Sequence, residues 1–304
     1  MKKTFIDAPH LKGDTEVSVT EMGNILEIKY LSSYNTSISI QKIDQNHYVD
    51  KETGEIKEFQ KSENRSENVK SISATFKNLR ELINANYDSN SPECLLWLTL
   101  TFKENERDPK VFSHCFDVFW KRMKRWFQRN SYEIPKYITC VEPQSRGAWH
   151  GHMILFFSSP APFIPNNEVL EKYWEWGFTN IQRLDNVTNV GAYLTAYLTD
   201  IPVEEAQSLV FDNDISFDKY SEIKSIQGID VDKKFIKGGR LKFYPVGMKL
   251  YRCSQGLKQP FKYRCSYSHA KDLVQGCKCI YERHIEIEID DFKSIISTRQ
   301  FDVS

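Results

Sequence analysis

The stretch KYITCVEPQSRGAWHGHMILF, residues 136–156, decides how the centre of this chain folds. It separates into two β-prone runs, Lys136–Glu142 and Trp149–Phe156, around a turn-forming segment, Pro143–Ala148. Side chains alternate across a strand, so His150 and His152 point to one face and their imidazoles converge. The second run continues through Met153, Ile154, Leu155, Phe156 and Phe157, which buries the strand, and buried imidazoles need partners. A hairpin return would set Glu142 beside them. Two imidazoles and a carboxylate make an open site for a divalent metal.

Working outward, LLWLTLTF (Leu95–Phe102) predicts a strand with Thr99 and Thr101 on one face and Leu98, Leu100 and Phe102 on the other. Residues 109–129 predict an amphipathic helix whose stripe is Phe112, Cys115, Phe116, Phe119, Met123, Trp126 and Phe127. Its last turns carry Lys121, Arg122, Lys124, Arg125 and Arg129, suited to the negative end of the helix dipole. A short aromatic helix at about 167–175, a strand at Phe178–Gln182 and a helix from about Asn189 to Thr199 follow. This order predicts an α+β domain, a central antiparallel β-sheet with flanking helices. Upstream lie short β-prone runs at Glu16–Val19, Ile25–Tyr30 and Ser37–Ile40, a turn at 50–54 and a helical pattern over 66–86. The expected division is an N-terminal extension of unassigned role (1–88), a central domain (89–200) and a C-terminal region (201–304).

The 304 residues carry 41 basic and 41 acidic side chains, and 40% are hydrophobic, a globular composition that excludes full disorder. No apolar run approaches membrane-spanning length and the first residues build no signal peptide, so a cytoplasmic protein with no membrane partner is expected. The seven cysteines read as free thiols, and Cys277-x-Cys279, near His269 and His284, lacks the second pair of a structural zinc site. Neutral net charge hides segregation. Residues 233–264 hold ten Lys or Arg, no Asp or Glu, and six interleaved aromatics, among them Tyr244, Tyr251, Phe261 and Tyr263. Such a stretch suits single-strand binding, with charge tracking the backbone and rings stacking on bases.

In the last helix of the central domain, Tyr193 and Tyr197 stand at i and i+4 on one face. Tyrosines at this spacing read as packing when considered alone. A tyrosine oxygen becomes a nucleophile where its surroundings orient the group it attacks.

Taken together, Trp97–Phe102, Glu142–His152 and Val190–Tyr197 follow the three-motif order of rolling-circle replication initiators. Over roughly residues 95–200 the chain resembles these Rep proteins of phages and plasmids, within the HUH endonuclease superfamily. Gly238–Leu241 and Leu250–Pro260 look similar to the tail of phage and plasmid members. The resemblance implies a ferredoxin/RRM-like HUH fold with N- and C-terminal extensions. It also implies an endonuclease that nicks and rejoins one strand at an origin through a 5′-phosphotyrosine. His150, His152 and Glu142 would hold Mg²⁺ or Mn²⁺. Tyr193 would attack, with Tyr197 matching the second tyrosine of two-tyrosine members. The family places lysine three residues after each tyrosine; here those positions are Ala196 and Asp200.

The implied partner is DNA, single-stranded or as a hairpin origin. Candidate contacts are Lys121, Arg122, Lys124, Arg125, Arg240, Lys242, Lys249 and Arg252. No G-x-x-x-x-G-K-[ST] occurs, so unwinding and synthesis would fall to a separate host helicase and DNA polymerase. Two alternatives stay open. One keeps the chemistry in a mobilisation relaxase or single-strand transposase. The other is a DNA-binding accessory or repressor protein that has lost cleavage, which Ala196 and Asp200 favour and the retained Glu142, His150, His152 and tyrosines disfavour.

Overall fold

In chain order, the strands are β1 (Lys2–Phe5), β2 (Glu16–Met22), β3 (Ile25–Leu31), β4 (Ile40–Lys42), β5 (His47–Asp50), β6 (Ile56–Glu58), β7 (Leu95–Phe102), β8 (Lys136–Pro143), β9 (Trp149–Phe156), β10 (Gly177–Gln182), β11 (Ile201–Pro202), β12 (Ile223–Ile226), β13 (Lys233–Ile236), β14 (Tyr251–Cys253), β15 (Phe261–Ser266), β16 (Lys278–Ile289) and β17 (Phe292–Asp302). The main helices are α1 (Val69–Ala85), α2 (Pro109–Arg129) and α3 (Tyr267–Leu273). The structure is a computed structural model; it describes residues 2–33, 40–44, 46–51, 53–59, 69–88, 90–144, 147–184, 190, 191, 195, 201–202, 223–226, 233–236, 244–245, 248–289 and 292–304. Large antiparallel sheets and few helices make the fold α+β, with β7, α2 and β9 bounded as their patterns predict. Among the described residues, no helix is long and apolar enough to cross a membrane.

The chain divides into two units. One gathers residues 1–21, 25–63 and 261–303, the other residues 22–24 and 64–260. This division cuts across the three consecutive segments expected from the sequence. The first unit is built on a six-stranded sheet in the order β1-β16-β17-β3-β2-β15, so both ends of the chain share one sheet. Val17, Val19, Leu26, Ile28, Ala270 and Val274 form its core, under α3, whose first turn is capped by the Ser266 hydroxyl. A small sheet, β4-β5-β6, belongs to the same unit.

The second unit carries a five-stranded antiparallel sheet in the order β10-β7-β9-β8-β14. α2 begins at Asp108, whose carboxylate accepts the Lys110 N–H at 2.8 Å. It buries Phe112, Cys115, Phe116, Phe119, Met123 and Phe127. Each fully buried Phe contributes about 1.5–3 kcal/mol relative to exposure, so this helix is a principal clamp on the sheet. The face it covers is marked by Leu100, Phe102 and Gly151. The Phe102 and Phe112 rings meet edge to face, and the space a Cβ at residue 151 would need is filled by the Phe112 ring. Trp174, fully buried, stacks among Phe102, Phe112 and Phe119 and donates its indole N–H to the Thr101 carbonyl at 3.0 Å.

The basic stretch 233–264 does not form one stripe. Its strands fall in three sheets: β13 beside β11 and β12, β14 at an edge of the five-stranded sheet, and β15 in the other unit. Tyr244, read as a stacking ring, is a core residue that donates its hydroxyl to the Val141 carbonyl at 3.0 Å. Charge runs report composition along the chain, whereas strand pairing separates neighbours in sequence.

Replacing Gly151 tests the clamp. A Cβ there would lie 2.8 Å from Phe112 Cε2 and closer still to its ring tip. Gly151→Ala is expected to cost about 1–3 kcal/mol by overpacking, read by urea unfolding, with part of the loss restored by adding Phe112→Leu.

Candidate active site

β9 lies between β7 and β8, and its pairing builds the site. Thr101 lies opposite His150 on one side and Glu142 opposite His150 on the other. One step along, Thr99, His152 and Cys140 form the next row. Cross-strand partners share a sheet face, and Gly151, between the histidines, faces α2. The Thr, His, Cys and Glu side chains therefore occupy the face away from α2.

Glu142 Oε1 lies between the two imidazoles, 3.2 Å from His152 Nε2 and 3.6 Å from His150 Nδ1. The far side of each ring is held by β7. The Thr101 hydroxyl is 2.7 Å from His150 Nε2. Trp97 Nε1–H donates to His152 Nδ1 at 3.3 Å, and Thr99 Oγ1 is 3.4 Å from the same nitrogen. An indole N–H only donates, so His152 Nδ1 accepts and the proton of the neutral ring sits on Nε2. That nitrogen is buried and faces Glu142 without a hydrogen bond.

This geometry fits a cation. A carboxylate as buried as Glu142, 5% exposed, costs several kcal/mol unless charge or hydrogen bonds compensate it. Ligand atoms of Glu142, His150 and His152 lie within 4.8 Å of one another, and this is the group of three among the described residues that could hold a metal ion. His150 has the usual arrangement, with Nδ1 inward and Nε2 anchored on Thr101. The donor set of two imidazoles and a carboxylate is that of an open divalent site. Cys277 and Cys279 do not gather with His284, which is bonded to Ser297 Oγ at 2.9 Å and Glu282 Oε1 at 2.7 Å.

Two nucleophile types on the same face are disfavoured. Burial, then the Glu142 charge, pushes the Cys140 thiol far up, so it stays protonated. Tyr251, opposite Cys140 on β14, also has its phenol raised by burial. Tyr193 and Tyr197, with Ala196 and Asp200, lie outside the described residues. Of their helix, Val190, Gly191 and Thr195 are described, helical and buried. Gly191 donates its N–H to Asn84 Oδ1 of α1 at 2.9 Å, where a Cβ would meet Arg80 and Asn84. Thr195 Oγ1 donates to the Gly191 carbonyl at 2.8 Å.

The candidate DNA contacts scatter. Lys121, Arg122, Lys124 and Arg125 sit on α2, the layer across the sheet from the histidines. Arg122 is engaged there, donating to the Tyr173 carbonyl and Glu175 at 3.0 Å each. Exposed Lys249, together with Arg252, lines a groove of about 550 Å³ along β14, and Arg252 is 3.3 Å from Asp117. Arg240 and Lys242 lie outside the described residues. Trp97 was missed by the sequence reading as a partner of the histidines, although the 97, 99, 101 alternation of β7 carried the signal.

Residues 95–201 match the replication-associated protein ORF2 family. The match supports a replication protein of the rolling-circle Rep type, and the matched segment contains every residue of the Glu-His-His group. No curated protein and no solved structure matches the chain.

The anchoring of the rings yields a test by Mn²⁺ titration calorimetry. Thr101→Val, which keeps the shape and removes the hydroxyl holding His150, is expected to weaken Mn²⁺ binding by about 10- to 100-fold. Glu142→Gln should weaken it further. Unchanged affinity in both would remove these residues from a metal site.

Proposed function

We propose that the 95–201 segment is an HUH-type endonuclease that nicks and rejoins one DNA strand at an origin, starting rolling-circle replication of a plasmid or phage in the cytoplasm. The observation that carries this reading is the Thr101–His150–Glu142 row, with His152 beside it, inside a segment matched to a replication family. Held by His150, His152 and Glu142, Mg²⁺ or Mn²⁺ supplies Lewis-acid polarisation of the scissile phosphate. Thr101 fixes the His150 ring, Trp97 and Thr99 fix that of His152, and α2 keeps the sheet beneath them from shifting.

Tyr193 is the assigned nucleophile, with Tyr197 for a second transfer. The phenolic oxygen bonds to phosphorus as the P–O3′ bond breaks. The phenol gives up its proton and the departing 3′ oxygen ends protonated, free to prime synthesis. Attack by a 3′ hydroxyl on the 5′-phosphotyrosine reverses the step and joins the strand. Lys249 and Arg252 along β14, and more distantly Lys121, Arg122, Lys124, Arg125, Arg240 and Lys242, track the backbone electrostatically. A separate helicase and polymerase unwind and copy the template. A relaxase or single-strand transposase would use the same chemistry. The second reading, a DNA-binding accessory protein without cleavage, is favoured by Ala196 and Asp200 standing where related proteins carry lysine.

Incubation with single-stranded DNA from the replicon, with and without Mn²⁺, decides between them. The expected result is a denaturation-resistant adduct that needs metal, mapped by mass spectrometry to Tyr193 or Tyr197. Tyr193→Phe and Tyr197→Phe made separately distinguish one nucleophile from two. His150→Ala should abolish the adduct and leave DNA binding nearly unchanged. Tight origin binding with no adduct would establish the accessory reading.

A further inference from the structure

β10 is the outer strand next to β7, and its alternation divides its side chains by task. Thr179 and Ile181 turn inward: Thr179 is buried with its hydroxyl on Asn166 Oδ1 at 2.9 Å, and Ile181 packs on the core. Phe178, Asn180 and Gln182 point the other way and are exposed. Register extends the two site rows onto this strand. Phe178 lies opposite Thr101, Asn180 opposite Thr99 and Gln182 opposite Trp97. One row across the sheet thus reads Phe178, Thr101, His150, Glu142.

Phe178 is 59% exposed. A ring left in water at the end of a row of catalytic-type residues forgoes burial worth about 1.5–3 kcal/mol, and nothing in the packing of β10 requires it. Neighbouring strands are about 4.8 Å apart, so two steps set Phe178 about 10 Å from His150, the reach of a nucleotide adjoining the phosphate held there. An aromatic face stacks on any base, and primary amides offer both donors and acceptors to base edges.

Resting on the nicking reading above, we infer that Phe178, Asn180 and Gln182 form a strip that takes the unpaired bases of single-stranded DNA beside the scissile phosphate. Phe178 is the stacking platform, and Asn180 and Gln182 are the specificity-determining amides. This strip gives the single strand a path on the histidine face of the sheet, separate from the basic residues of α2.

The test measures binding of a fluorescein-labelled single-stranded oligonucleotide of mixed sequence by anisotropy, in EDTA, for the full chain and its variants. Phe178→Ala should weaken binding by about 5- to 100-fold, the range of base–aromatic stacking. Phe178→Trp should retain it and Phe178→Leu should not. Mn²⁺ affinity by calorimetry should be the same in all four proteins, which separates loss of stacking from damage to the histidine site. Equal DNA affinity of Phe178→Ala and the parent overturns the strip while leaving the nicking site standing. Full affinity in Phe178→Leu overturns stacking. A dimer in sedimentation that Phe178→Ala dissociates, with DNA affinity unchanged, would assign the face to a second copy and overturn the inference. Failure of the parent protein to bind any single strand, origin DNA included, would overturn the nicking reading and the strip together.

Discussion

The register of β9 between β7 and β8 is the constraint on which the site depends. Side chains alternate with a period of two, so a slip of one residue on either side would turn the histidines or their partners to the α2 face. Two features resist such a slip. Gly151 has no side chain because the Phe112 ring fills that space, and the Thr139 hydroxyl bonds to the His152 carbonyl at 3.2 Å. The aromatic packing of α2 thereby specifies the polar arrangement on the other side of the sheet without touching it.

Electrostatics then explains why the cluster is poised to receive a ligand. Glu142 is buried between two imidazoles that face it, and β7 holds the outer nitrogens of both rings. The two histidines are not equivalent. His150 is oriented by a hydroxyl able to accept its proton, whereas His152 receives a proton from Trp97. Metal binding through His152 Nε2 needs the ring proton on Nδ1, where Thr99 is the neighbouring acceptor. The threonines of LLWLTLTF thus serve the histidines as partners, which gives that strand motif a physical reason beyond its β propensity.

Placement of charge is the other lesson. The basic residues of α2 complement its carboxyl end and, in Arg122, tie down the segment that leads into β10. The basic stretch 233–264 serves three sheets. Cations near each other in sequence have structural duties that composition does not reveal, and exposed side chains on the histidine face belong to a strand that carries no charge cluster at all.

Much of this protein was legible in its sequence where the signal is local. The alternation of Leu95–Phe102, the apolar stripe of 109–129 and the His150–His152 spacing determined strands, helix and a shared face, because backbone periodicity alone decides which side chains align. The short loop through Pro143–Ala148 also brought Glu142 to His150, since a tight hairpin leaves few registers. Tertiary structure alone decided that Thr101 and Trp97 anchor the rings, that Phe178 joins their row, that both chain ends share one sheet and that Tyr244 is core. Each of these is a pairing between segments far apart in the chain. Alternation tells which face a residue takes but not which strand will lie beside it; that choice is made by the packing of whole elements.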